Sequence, residues 1–413
     1  MPPRALPSIR PEMLSHTMPE QKSPAHNLVL LIIAQALLFT NNVTLIAING
    51  LAGLSLAGNK ALATLPIACW VISTALMAMP ASLHMRRAGR RAGFMFGTTF
   101  GLVGCALCSL AIYLHAFWLL CAGTFVFGGY NAYAQYYRFA AADVAPPQWK
   151  SKAISWVMAG GIVGGILGPE TSKLTRGLFE IDFLGAYLVL GGVLLVALAV
   201  QSALRIPPQS DAETSGEARP LGEIARQPAF LVAVVGAAVG YGMMNLLMTA
   251  TPLAMGFCGH PYADAAFVIE WHVIGMFAPS FFTGNLIRRF GALQVMFCGA
   301  LLQAACASIA LSGSTVNHFW MALVLLGVGW NFLYIGGTTL LTETYRPAEK
   351  ARVQGLNDLL VAGTTGVTSL ASGVLLDRAG WETLNWLALP VIGVVLVIIA
   401  WRGLGMRRRL PAV

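Results

Sequence analysis

Charge is scarce in this chain. Asp, Glu, Lys and Arg make up only 10% of its 413 residues, where soluble domains carry about a quarter. That excludes an ordinary soluble enzyme, and a charge-rich disordered chain with it. Acids are the rarer sign, 17 against 26 bases. Cysteine is sparse too: the seven residues all lie within or at the edges of apolar stretches, with no zinc-loop spacing. A disulfide-stapled mini-protein is therefore excluded, and the cysteines read as small apolar fillers. No glycine-rich phosphate loop or soluble catalytic domain is present, which removes an ATP-driven pump.

What the chain has instead is apolar sequence, 57% of all residues. Crossing a bilayer takes ~20 apolar residues per helix. Twelve stretches qualify, at 28–50, 61–83, 93–114, 117–139, 153–169, 183–204, 228–257, 264–287, 292–312, 318–342, 355–376 and 384–404. The expectation is an all-α membrane protein of twelve transmembrane helices. The first stretch is too long, and its upstream flank too rich in proline, for a cleaved signal. Residues 1–27 read as a cytoplasmic tail.

Basic residues set the orientation, because Lys and Arg are retained on the cytoplasmic side. The tails and alternate connections hold 22 of them; the opposite set holds four, Lys60, Lys173, Arg176 and Arg378. Both termini are expected inside. The +9 formal charge is thus an orientation signal, and no nucleic-acid partner is expected.

The chain also repeats itself. Ser82-Leu-His-Met-Arg-Arg-Ala-Gly89 follows the second stretch, and Gly284-Asn-Leu-Ile-Arg-Arg-Phe-Gly291 follows the eighth, an offset of 202. Asp143, Pro147, Lys150 and Lys152 match Glu343, Pro347, Lys350 and Arg352 at an offset of 200, as Asn131 matches Asn331. The expected organisation is a six-helix half at 28–204, a polar linker at 205–227, a second half at 228–404 and a basic tail at 405–413.

On these residues the chain resembles the major facilitator superfamily over nearly its whole length. Its Arg-Arg-x-Gly loops look like degraded copies of that family's loop signature. Arg86 and Arg288 stand where the family has an Asp, so Asp143 and Glu343 are the expected partners of Arg86, Arg87, Arg288 and Arg289 in a gate. The glycines of the fifth stretch (Gly160, Gly161, Gly164, Gly165, Gly168) resemble the family's glycine-rich motif, which implies a close, moving contact between the halves.

The cargo is read from two stripes. Met244 and Met248 are four apart on the seventh helix, and His272 and Met276 are four apart on the eighth, so each pair shares a face. A turn centred near residue 260 would set Met248 beside His272 and Met244 beside Met276, about one helical turn apart. Thioethers with an imidazole suit Cu(I) better than zinc or hard cations. Methionine is also a common core filler, so packing is the plain alternative. The paired motifs resemble the CcoA-type copper importers, a bacterial branch of the superfamily; a sister branch that imports riboflavin shares the scaffold without the stripes. The resemblance implies Met244, Met248, His272 and Met276 as copper ligands and a supply line to haem–copper oxidase assembly.

Around that site, Cys258 at the outer end of the seventh helix is a candidate metal relay. Glu270 is a candidate coupling acid, about 200° round the helix from His272. Asn41, Asn131 and Asn331 are candidate cavity or helix-contact amides. The reading is a monomeric bacterial cytoplasmic-membrane carrier, no enzyme and with no prosthetic group. It would import copper as Cu(I) by alternating access, with the bilayer and a copper chaperone as partners. The rivals are a permease for a small organic molecule such as riboflavin, in which the methionines only pack, and a copper-binding membrane sensor.

Overall fold

The computed structural model describes residues 24–58, 62, 65–175, 177–206 and 218–407. Most of the expected N-terminal tail, the centre of the linker, the end of the basic tail, and Lys60 and Arg176 lie outside the described residues. Everything regular among the described residues is helical. In hydrocarbon a backbone must satisfy its own polar groups, and a helix does this within one segment.

The first half holds α1 (Pro24–Leu56), α2 (Leu65–Ala88), α3 (Arg90–Tyr113) and α4 (Phe117–Ala134). It continues with α5 (Tyr137–Val144), α6 (Lys150–Ala159), α7 (Gly161–Thr175) and α8 (Leu184–Ser202). A short α9 (Leu221–Ala225) sits in the linker. The second half holds α10 (Pro228–Phe257), α11 (Tyr262–Phe277) and α12 (Ser280–Phe290), then α13 (Ala292–Ser312), α14 (Val316–Leu341) and α15 (Lys350–Arg407).

Among the described residues nine helices are long and apolar enough to cross a membrane, ten if α11 and α12, bent by 41°, form one span. Reaching the expected twelve takes two further steps: dividing α15 at Gly380, and counting α4 with α5. The first has a physical reason. A straight helix of 58 residues would run ~87 Å, nearly three hydrocarbon thicknesses, and Gly380 leaves helical geometry at φ 79°.

The repeat seen in the sequence is present in the backbone. Gly89 and Gly291 both follow an arginine-bearing helix end and take nearly the same dihedrals, φ 85°, ψ 161° and φ 91°, ψ 156°. Only glycine adopts that region cheaply. The matched prolines likewise open matched 3₁₀ turns, Pro147–Trp149 and Pro347–Glu349, each running into a helix at Lys150 and Lys350.

Small residues set the close approaches. A Cβ on Gly284 would fall 2.6 Å from Lys152 Cα, and one on Gly355 would fall 2.6 Å from Met79 Sδ. Thus α12 packs on α6 and α2 on α15, two crossings that join the halves at the arginine-rich end. The glycines of the fifth stretch divide their duties: Gly160, Gly164 and Gly168 face α1 of their own half, while Gly161 and Gly165 meet Phe277 and Val273 of the other.

Candidate functional site

A cavity of about 90 Å³ lies between the halves. Helices α2 and α4 contribute Trp70, Thr74 and Asn131, and Gln135 follows at the end of α4; α10, α14 and α15 contribute Tyr241, Tyr334, Asp358 and Thr365. Two tyrosines of the second-half wall, Tyr241 and Tyr334, pack on Trp330 behind it. Trp330 and Tyr334 stack at 5.2 Å, and Tyr241 meets both edge-on at 5.4 and 5.3 Å.

Polar side chains run beneath these rings from one half to the other. Asn42 Nδ2 donates to Asn131 Oδ1 at 2.8 Å, and Asn131 Nδ2 donates to Thr74 Oγ1 at 3.2 Å. Arg138 Nη1 donates to the Gln135 carbonyl at 2.7 Å and to Gln135 Oε1 at 3.2 Å. Tyr334 Oη reaches that same Oε1 from the second half at 3.5 Å. Arg138, 2% exposed, closes the chain with an ion pair to Asp358. A buried arginine is tolerated only when paired, and here the pair spans the interface.

Asp358 is the intramembrane carboxylate that sequence reasoning missed. The signal lay seven and eight residues beyond Lys350 of the repeat: Asn357-Asp358 inside an apolar stretch, where an ionisable group is a functional candidate by default.

The expected ligand set lies elsewhere. His272 is fully buried in α11, and its Nδ1 sits 2.7 Å from the Leu323 carbonyl of α14. Gly327 of α14 approaches the backbone of His272 and Met276 so closely that a Cβ there would fall 2.6 Å from the His272 carbonyl. On α10, Gly240 packs on Leu333 of α14 and Gly242 on Thr364 of α15. Met244 and Met276 are buried and Met248 half-buried, and the cavity lining includes none of the four. Among the described residues no group of three or more His, Cys, Asp or Glu could hold a metal ion. His272 Nε2 is buried without a hydrogen-bond partner among those residues.

A family model of the Major Facilitator Superfamily matches residues 31–270 and 262–410. The chain belongs to the Major Facilitator Superfamily. The riboflavin transporter RfnT of Brucella anthropi is 42% identical over 391 residues, covering 93% of this chain and 98% of that protein. YddS, an uncharacterized transporter of the same type from Bacillus subtilis, is 27% identical over 377 residues, 86% of each. Among solved structures, FucP of E. coli in its outward conformation superposes with a TM-score of 0.76 at 15% identity, covering 91% of this chain and 98% of that one. A superfamily chain with this many apolar helices is a multi-pass membrane transporter, not an enzyme, and its bacterial relatives place it in the inner membrane.

The superfamily's arginine-rich loop shows which pairings hold its basic end together. Asp143 is the acid, but its partners are Arg90 Nε at 3.3 Å and Lys350 Nζ at 2.6 Å. Arg90 also donates to Gln354 Oε1 of the other half at 2.6 Å. Arg86 and Arg87 end α2, and the turn at Gly89 brings Arg90 round to the acid. Arg87, Arg288, Arg289 and Glu343 are exposed, and Arg289 lies over the Phe290 ring at 5.2 Å.

The three amides divide. Asn131 lines the cavity. Asn331 holds the α11–α12 bend, donating to the Met276 carbonyl and Ser280 Oγ, both at 2.6 Å, and accepting from Thr283 Oγ1 at 2.7 Å. Asn41 is fully buried in α1. Glu270 and Cys258 are exposed, Glu270 beside Trp271, and Cys258 near His260 at the outer turn.

Proposed function

We propose that this chain is a permease that takes up riboflavin or a closely related flavin by alternating access. The observation that carries the reading is the make-up of the cavity wall: Trp70, Tyr241 and Tyr334 beside Thr74, Asn131, Gln135 and Asp358, drawn from both halves. A flavin is a flat, uncharged tricycle with one apolar edge and one edge of carbonyls and N–H. Aromatic side chains suit its faces, and a few convergent polar groups fix its orientation. A bare Cu(I) ion would want sulfur and imidazole at that point. The 42% identity to the riboflavin transporter RfnT supports the same reading.

Copper transport is the second reading, and its support is the buried His272 Nε2 that lacks a hydrogen-bond partner among the described residues. The two separate in one experiment. Cells unable to make riboflavin, expressing this chain, are given labelled riboflavin or copper. Under the flavin reading, Tyr334→Ala and Tyr241→Ala each lower riboflavin uptake roughly 5- to 100-fold, the range of one lost stacking contact. Met244→Ala and Met248→Ala then leave it within twofold, and copper content does not follow the chain. Copper accumulation that depends on Met244 and His272, with no riboflavin uptake, would reverse the assignment.

A further inference from the structure

Two buried polar atoms on residues lining the cavity lack a hydrogen-bond partner among the described residues: Asp358 Oδ2 and Trp70 Nε1. One accepts and the other donates. They come from opposite halves, on α15 and α2, the two helices that Gly355 lets approach closely. Asp358 is only 5% exposed, and its other oxygen is already engaged by Arg138 Nη2 and by Asn357 Nδ2, the latter at 2.8 Å. The carboxylate is thus held in one orientation with one oxygen unspent. A buried acceptor left bare is costly, and such groups in native proteins generally find a partner. In a transporter's cavity the cargo can be that partner.

We infer that Asp358 is a specificity-determining residue of the site, accepting the ring imide N–H of a flavin through Oδ2 while Trp70 Nε1 donates to a neighbouring ring carbonyl. The inference rests on the flavin reading above and deepens it. The polar edge of a flavin presents carbonyl, N–H and carbonyl in a row, so one edge would satisfy the acceptor and the donor together and tie α15 to α2. A site built around a substrate N–H rejects an analogue lacking it far more strongly than a shape-only pocket does.

The test is competition against labelled riboflavin uptake by unlabelled riboflavin and by its N3-methyl derivative, which lacks that N–H. In the wild-type chain the methyl compound is expected to compete at least tenfold more weakly. In Asp358→Asn the amide oxygen stays on Arg138 and an N–H₂ replaces Oδ2, so riboflavin weakens and the difference between the two compounds collapses to within about twofold. Trp70→Phe keeps the ring, removes the donor and weakens riboflavin several-fold, a second readout should Asp358→Asn not fold. Equal competition by both compounds in the wild type overturns the inference and leaves the flavin reading standing, as does discrimination that survives in Asp358→Asn. No riboflavin uptake by the wild type overturns both.

Discussion

Asp143 of the first half and Lys350 of the second lie 2.6 Å apart, and Arg90 and Gln354 pair beside them at the same distance. Both bridges cross the interface at the end that basic residues mark as cytoplasmic, and the Arg138–Asp358 pair lies deeper on the same path. Asp143→Asn removes the carboxylate that Arg90 and Lys350 share. Charged hydrogen bonds of this kind contribute about 1.5–3 kcal/mol when sheltered and less when exposed. A net loss of about 1.4 kcal/mol moves a two-state equilibrium tenfold. The expected outcome is a roughly tenfold shift toward states open at the basic end, read by spin-label distances across it. Unchanged distances would show that the bridges do not hold the gate.

The glycines of α7 make a sharper prediction, because neighbours in sequence face different halves. A Cβ on Gly164 would fall 2.5 Å from the Phe39 Cβ and the Thr40 backbone nitrogen. Backbone cannot yield cheaply, so Gly164→Ala should lower stability by about 1–3 kcal/mol, seen in detergent melting. A Cβ on Gly165 meets only the Val273 side chain, at 2.5 Å, across the interface. Gly165→Ala should therefore melt near the wild type and slow transport instead. Equal effects of the two substitutions on both assays would refute the division.

Much of this fold was legible in the residues. The all-helical class follows from apolar stretches of bilayer length, nine or ten of which are spans among the described residues, and the 200-residue repeat reappears as matched 3₁₀ turns at Pro147 and Pro347. Gly89 and Gly291, matched in the repeat, also share a backbone conformation. The gate was half legible: Asp143 was found, but its partner depends on how the chain turns at Gly89, which no spacing reveals. The site was the least legible. Helix numbering places Met248 and His272 at one depth, but it does not reveal the partner that His272 Nδ1 takes, the Leu323 carbonyl of α14. Asp358 went unnoticed because its partner, Arg138, is 220 residues away in sequence.

Asn331 and its repeat mate Asn131 should respond differently to removal. Asn331 makes three short hydrogen bonds around the break before α12, and its loss strands the Ser280 hydroxyl and the Met276 carbonyl, while Thr283 keeps the Pro279 carbonyl. Each stranded group costs about 1–3 kcal/mol, so Asn331→Ala should melt well below the wild type. Asn131 lines the cavity, where water can replace it, so Asn131→Ala should melt closer to the wild type and reduce riboflavin uptake more. A milder melting defect for Asn331→Ala than for Asn131→Ala would contradict these roles.

The linker offers a prediction in pH. Arg219, just ahead of α9, grips Glu349 in the 3₁₀ turn before α15: Nε donates to Oε1 at 2.8 Å and Nη2 to Oε2 at 2.7 Å. The backbone N–H groups of Arg219 and Arg346 add two more bonds, to Oε1 at 3.0 Å and Oε2 at 2.9 Å. The Arg219 guanidinium, aided by these backbone donors, holds the Glu349 carboxyl well below its usual range, at about 2. A lowered acid favours the folded state wherever the unfolded chain's carboxyl, near 4.3, has ionised. That contribution is complete above about pH 5 and declines as pH falls from there toward 2. Glu349→Gln keeps the shape and deletes the charge, so it should destabilise the protein by about 1.5–3 kcal/mol at neutral pH. The gap between the melting curves of the two proteins should stay constant from pH 8 to 5 and narrow between about pH 4 and 2. A gap that instead narrowed between pH 8 and 6 would mean that a different group governs the linker clamp.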